Sequence, residues 1–555
     1  MNLRHLGIDS KKYVRFILLP SVVAALVTYL FVLVYVPKLN LGLFSILFYT
    51  IPIFILLPGV LYPKIIEVRF KNDIENNIHF YITHLGVLSI SEIDRKEMMK
   101  ILSERKEYKS LAEETRKIYL LMAKWKTSLA QACRFIAKRT PSKIFADFLD
   151  RMAHEIDSGE DFKVFIKREQ KVVMDDFATL YTGKLYSVDM FKEIYVSIIL
   201  SLSFFAAFGI IMPFLTGLNV MLIMYLIIIF FFITEIGVIT YLKAVAPQDP
   251  LWQTSGEYTD VDRKLYRLFA LSMVIFLAVF TALLFANYVY HLIDLPFSFL
   301  MAISLTPLLI PGFVAKKEEG MIKDKDKNAP SFIMSLGASA SARGGNILES
   351  LKYLTAHDFG ALTEDIRALY KRLKTRINKR RAWEKFAIST NSNLIYRFTD
   401  MFVEALNLGT DPIDAAEIIS ENFIAINNLR ARRAQSASSF VGIAYGVIIG
   451  IAFALYISFG VVEAMNNLYS SLQIAGEVVG SILHTVPAED LSVLSNLITL
   501  LLIAHAVMAT FAIKIMDGGR FMAGLIHTVG MSWVAALSGY VSQMAIKSLL
   551  GMGGI

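Results

Sequence analysis

The sequence predicts an all-α, polytopic membrane protein with about nine transmembrane helices and two homologous helical cytoplasmic domains. Three observations carry this prediction. Of 555 residues, 55% are hydrophobic and 19% charged, with a mean hydropathy of +0.53, an excess that has to be buried in lipid. The apolar residues gather in runs of roughly 20, the length that crosses about 30 Å of hydrocarbon. Two long polar stretches between the runs carry helical periodicity and repeat one another. A soluble enzyme is excluded by the same composition.

In chain order the apolar runs are Phe16 to Val36, Leu41 to Tyr62, Ile194 to Phe214, Val220 to Tyr241, Leu268 to Tyr290, Leu295 to Ala315, Phe440 to Val462, Val493 to Ile515 and Phe521 to Met544. The first follows Arg4, Lys11, Lys12 and Arg15, as a signal peptide would. It is longer than a typical h-region and lacks a small-residue cleavage site, so it reads as a retained anchor. With the N-terminus in the cytoplasm, the outward loops and C-terminal tail hold only Lys38 and Lys547 as Lys or Arg. Nearly all the rest then lie inside, including Lys514 and Arg520 in one short loop. The positive-inside rule gives an N-in, C-out topology in the cell membrane. The expected layout is transmembrane helices 1 and 2 in 1–62, a first cytoplasmic domain in 63–193, helices 3 to 6 in 194–315, a second domain in 316–437, and helices 7 to 9 in 438–555.

Within the polar stretches Phe145, Phe148, Leu149, Met152 and Ile156 recur at helical spacing, as do Ile366, Leu369, Leu373 and Ile377. The segment Lys323 to Pro330, K-D-K-D-K-N-A-P, reads as a solvated linker. At an offset of about 251 residues the chain matches itself: Leu111 to Tyr119 and Leu362 to Tyr370 share L-x-E-[ED]-x-R-x-[IL]-Y, and Leu85-Gly86 falls on Leu336-Gly337. After one deletion, Gly159-Glu-Asp161 falls on Gly409-Thr-Asp411. Each glycine can end a helix in a left-handed cap, and each aspartate can start the next. A repeat of two spans, a domain and two spans crosses the membrane an even number of times, so both domains emerge on one side. The ninth span falls outside this symmetry.

No phosphate-binding loop, H-E-x-x-H or G-x-S-x-G occurs, and the lone Cys133 precludes an intramolecular disulfide framework. No catalytic residue, metal site or cofactor is expected. Ionisable groups within spans are Glu235, His505 and His527. They read either as a relay or, preferably, as a hydrated or hydrogen-bonded glutamate and neutral packed histidines. The seventh span carries Gly442, Gly446 and Gly450, a small-x-x-x-small face for close helix packing within the chain or between subunits. The most distinctive soluble feature is Lys371, Arg372, Lys374, Arg376, Lys379, Arg380 and Arg381, read as surrounding the Ile366 stripe on one helix. The matched positions of the first domain are not basic. An acidic protein partner, a plain solvated face and anionic lipid headgroups are the three readings, in that order. Nucleic acid is not expected, because aromatic interleaving is limited to Trp383.

Two helical domains, each with an amphipathic helix, a turn and a corner at Ser158 to Asp161 or Leu408 to Asp411, resemble the F-type inner-membrane platform family of type II secretion and type IV pili. Two such domains with nine spans are most similar to platforms of archaeal filaments, the archaellum before the adhesive pilus. The resemblance implies a non-enzymatic base that contacts a hexameric cytoplasmic secretion ATPase and pilin-like filament subunits, with membrane lipids around it and a homodimer as the expected assembly. A transporter built from parallel repeats and a lipid-binding scaffold are the rival readings.

Overall fold

The computed structural model describes residues 10–35, 45–91, 93–375, 378–471 and 486–549. Among them the regular elements are all helical, and the extended pairing is an isolated bridge between Trp252 and Ser392. The helices are α1 (Ser10–Tyr13), α2 (Leu19–Tyr35), α3 (Ser45–Ser89), α4 (Arg95–Glu104), α5 (Ser110–Trp125), α6 (Leu129–Ala137), α7 (Lys143–Ser158), α8 (Phe162–Thr216), α9 (Val220–Val245), α10 (Asp260–Leu284), α11 (Phe297–Leu305), α12 (Leu309–Ser341), α13 (Ile347–Leu354), α14 (Thr363–Lys374), α15 (Lys379–Ser389), α16 (Asn393–Asn407), α17 (Pro412–Ser471), α18 (Ala488–Asp517) and α19 (Phe521–Leu549). Nine helical stretches among the described residues are long and apolar enough to cross a membrane, and each overlaps one of the nine expected spans; Val36 and residues 41–44 of the first two lie outside the described residues. Lys38 lies outside the described residues, as does 472–485 of the loop after the seventh span.

The polar helices continue the spans. α3 runs for 45 residues through Pro52, Pro58 and Pro63, about 68 Å at 1.5 Å per residue and more than twice the hydrocarbon thickness. α8 and α17 run for 55 and 60 residues. The expected linker Lys323 to Pro330 is corrected: it is helical throughout, inside α12. Its charges are not all solvated, because Lys325 pairs with Asp365 at 2.8 Å and Asp326 with Arg430 at 3.0 Å, which offsets their burial.

The duplication holds element by element. α3 and the pair α11–α12 begin 252 residues apart and end 252 apart, α4 pairs with α13, α5 with α14, α6 with α15, α7 with α16 and α8 with α17. By α8 and α17 the offset has fallen to 250. Both corners are capped as the sequence suggests. Gly159 and Gly409 adopt φ of 79° and 80°, and Asp161 and Asp411 accept from the backbone N–H two residues on.

The chain divides into two compact units. The first comprises residues 1–178, 337–345 and 401–422. Its α2 and α3 pack where Gly59 meets Ser21, with a Cβ at Gly59 falling 2.7 Å from that of Ser21. Its polar core buries the predicted Phe145, Phe148, Leu149 and Met152 stripe, together with Cys133. The matched pair Gly86 and Gly337 now has a cause. A Cβ on Gly86 would lie 2.7 Å from Gln170, and one on Gly337 2.6 Å from the Pro412 carbonyl, so each admits a neighbouring helix. Repeat-equivalent positions also meet, since Lys167 lies 3.6 Å from Glu417.

The second unit comprises residues 179–336, 346–400 and 423–555. Its membrane core is built from α8, α9, α17 and α18, with Ile199, Met224, Ile448 and Ile498 fully buried. The ninth span, α19, buries Gly524, Thr528, Ser532 and Ala536 at every fourth residue. A Cβ at Gly524 would lie 2.5 Å from Thr510 of α18, and one at Gly539 2.5 Å from Tyr456 of α17. The helix outside the repeat is thus also packed through small residues that admit its neighbours closely.

Candidate functional site

The basic run does not lie on one helix, which corrects the sequence reading. α14 ends at Lys374, and α15 starts at Lys379 behind Asn378, whose Oδ1 accepts from the backbone of Arg380 at 3.1 Å and of Arg381 at 3.4 Å. Asn378 favours this N-cap role because its short amide satisfies donors that the helix leaves free. Arg376 and Ile377 lie outside the described residues. Ile366 and Leu369 are buried as expected, while Leu373 is only half-buried.

The elbow brings two helix ends together. Lys371, Arg372 and Lys374 occupy the last turn of α14, where the helix dipole favours cations. Lys379, Arg380 and Arg381 occupy the first turn of α15, which holds no acidic residue and where the dipole opposes them. Five of these six are exposed, Arg372 is half-buried, and none forms an ion pair among the described residues. The first repeat builds the same elbow differently. Ser128 caps α6 by accepting from Gln131, and Leu129 and Ala130 in its first turn are buried. Trp383 is buried edge-on against Phe386 at 5.9 Å, so its faces are not presented to bases.

A second set of charges escaped the sequence reading. Arg430 forms a two-pronged pair with Asp249 at 2.5 and 2.6 Å and reaches Asp326 at 3.0 Å. Lys514, first read only as a topology marker, is bonded to Glu319 at 2.7 Å and Asp517 at 2.9 Å. Arg520 pairs with Asp262. These pairs tie α10, α12, α17, α18 and the start of α19 to one another. The acids sit near span ends, a signal that only the three-dimensional neighbours make readable.

Within the spans Glu235 of α9 is not hydrated: it is 2% exposed and hydrogen-bonded to His505 of α18, which stacks on Tyr195 of α8. His527 lies edge-on to Tyr445 at 6.0 Å. Among the described residues, the glycine face of α17 makes no close helix contact. Nothing lies within 4 Å of a Cβ placed at Gly442 or Gly446, and at Gly450 the nearest atom is a methyl of Leu200 at 3.7 Å.

Among the described residues, the chain is a duplicated set of helical domains continuous with membrane spans. The type II secretion system (T2SS), protein F family matches residues 81–210, from the end of α3 into α8. The chain is 41% identical over 554 residues to flagella accessory protein J of Methanocaldococcus jannaschii and 39% identical over 552 residues to that of Methanococcus voltae. Each alignment covers 99% of this chain and 98% of the relative. The chain thus belongs to the flagella accessory protein J family, multi-pass and non-enzymatic membrane proteins within the T2SS protein F group. No solved structure matches it.

Proposed function

We propose that this chain is the membrane platform on which the archaellum is assembled. A hexameric secretion ATPase docks in the cytoplasm, and its conformational cycle is passed to pilin-like subunits in the bilayer and to filament rotation. The relatives are flagella accessory proteins, which favours the archaellum over an adhesive pilus. The Lys and Arg distribution supports N-in, C-out, with both polar domains in the cytoplasm. The outward-facing Gly442, Gly446 and Gly450 are the face for a second copy in a homodimer.

The basic elbow carries this reading. Three cations are held at a helix N-terminus against the dipole, in a turn that holds no acidic residue, and the first repeat shows that the elbow folds without them. An acidic partner surface relieves that cost. Arg380→Glu with Arg381→Glu tests it. Acids in the first turn stabilise α15 by about 0.3–1 kcal/mol each, while ATPase capture at low salt falls about tenfold or more and filaments are lost. In the wild type, capture weakens as the Debye length shrinks from about 10 Å at 0.1 M to about 3 Å at 1 M salt. Unchanged capture with lost binding to anionic liposomes assigns the elbow to lipid instead.

A further inference from the structure

The segment joining the two repeats, 246–259 between α9 and α10, is built into the second unit. Ala246, Leu251, Trp252 and Gln253 are buried. Along one edge it pairs with the α15–α16 corner: the Gln253 N–H donates to the Asn391 carbonyl at 2.9 Å, and the Asn393 N–H donates to the Leu251 carbonyl at 3.1 Å. Thr254 Oγ1 adds a bond to Asn393 Oδ1 at 3.1 Å. Asn391, which accepts the first of these, holds a left-handed φ of 59°, a conformation asparagine tolerates better than most residues.

Along its other side the segment grips the turn between α18 and α19. The Leu251 N–H donates to the Gly518 carbonyl at 3.4 Å. The Arg520 guanidinium lies 3.9 Å over the Trp252 ring, and Trp252 Nε1 donates to Glu319 at 3.3 Å. Arg433 fixes both partners of this grip, donating to the Asp249 carbonyl at 2.8 Å and to the Ile515 carbonyl at the end of α18 at 2.9 Å. The turn therefore cannot shift without the strap, nor the strap without the α15–α16 corner.

We propose that this strap is the mechanical link that delivers load on α15 to the α18–α19 turn, and so moves the eighth and ninth spans. α15, 11 residues long, carries the basic cluster in its first turn and ends beside the strap, about 15 Å of stiff helix away. The origin of the load rests on the docking reading; the strap itself does not. A one-residue antiparallel bridge flanked by two backbone bonds resists sliding because both bonds must break together. The aromatic–guanidinium contact resists lifting.

The test uses full-length protein in lipid nanodiscs for hydrogen exchange, and cells for filaments. Trp252→Ala removes the Arg520 stack and the Glu319 bond, whereas Trp252→Phe keeps a ring beneath Arg520. In Trp252→Ala, exchange at the Gln253 and Asn393 amides and in the 518–520 turn should rise together by tenfold or more. Filament number should fall by a similar factor with ATPase capture unchanged, and Trp252→Phe should stay within twofold of wild type. Faster exchange in the strap alone overturns the proposal, as do wild-type filament numbers with both sites loosened, or lost capture. Should Trp252→Ala fail to insert, Thr254→Val, which removes only the Asn393 bond, is judged by the same outcomes. Failure of the docking reading shows separately, as capture that ignores Arg380→Glu with Arg381→Glu.

Discussion

Glu404 shows how single side chains join the repeats inside the first unit. Its Oε2 lies 2.6 Å from His84 Nε2 and 2.7 Å from Arg105, and His84 Nδ1 is bonded in turn to the Tyr108 hydroxyl at 2.8 Å. Burial pushes the carboxyl up, but His84 and Arg105 outweigh it and hold it at about 2, below its ordinary 4.5. A depressed carboxyl stabilises the fold fully above its unfolded value and loses that contribution as pH falls toward the folded one. Glu404→Gln should therefore cost about 1.5–3 kcal/mol at neutral pH, and the gap from wild type should close between about 4.5 and 2. Equal losses in thermal melts at pH 3 and pH 7 would contradict this assignment. No sequence pattern announces such a pair, for His84 and Glu404 stand 320 residues apart. The same holds for Glu235 and His505, which the sequence showed as scattered ionisable groups and which sit 270 apart.

At the scale of elements, what repeats or caps was legible and what depends on a neighbour was not. The Phe145 stripe, the Gly159 and Gly409 corners and all nine spans follow from spacing and short-range chemistry. The break before α15 was missed because charged residues continue across it, though Asn378 and, one repeat earlier, Ser128 mark it as N-caps. Lys323 to Pro330 was misread because a charged run looks solvated until its counter-ions arrive from α14 and α17. The small residues of α19 have the same four-residue spacing as the glycines of α17 and are the ones buried. Two substitutions separate these roles. A Cβ at Gly446 meets no atom within 4 Å, so in Gly446→Leu thermal stability in detergent should hold while the dimer fraction in lipid falls. Val447→Leu, one position on, enters a site only 5% exposed and should cost about 1–3 kcal/mol through overpacking. A Gly446→Leu protein that loses stability with its dimer fraction unchanged would remove the interface reading.

For the whole molecule, composition and run length were enough to give fold class and span count, because lipid imposes one solution on long apolar runs. The sidedness is tested by single cysteines in a Cys133→Ser background. Leu292 is 77% exposed beyond α10, and Glu364 is 83% exposed on α14. An impermeant thiol reagent added to intact cells should label Leu292→Cys and leave Glu364→Cys untouched; the reverse pattern inverts the topology. The Lys167–Glu417 pair has a consequence for how such a chain stays single. At the repeat offset of 250 these are the same position, and positions that face their own equivalents behave as a self-complementary surface does in a twofold assembly. Were the gene split, two amino-terminal halves mating with each other would set lysine against lysine, and two carboxy-terminal halves glutamate against glutamate. Only the mixed couple is attractive, by about 0–1 kcal/mol for an exposed pair, so divergence at one duplicated codon already biases each half toward the sister fused to it.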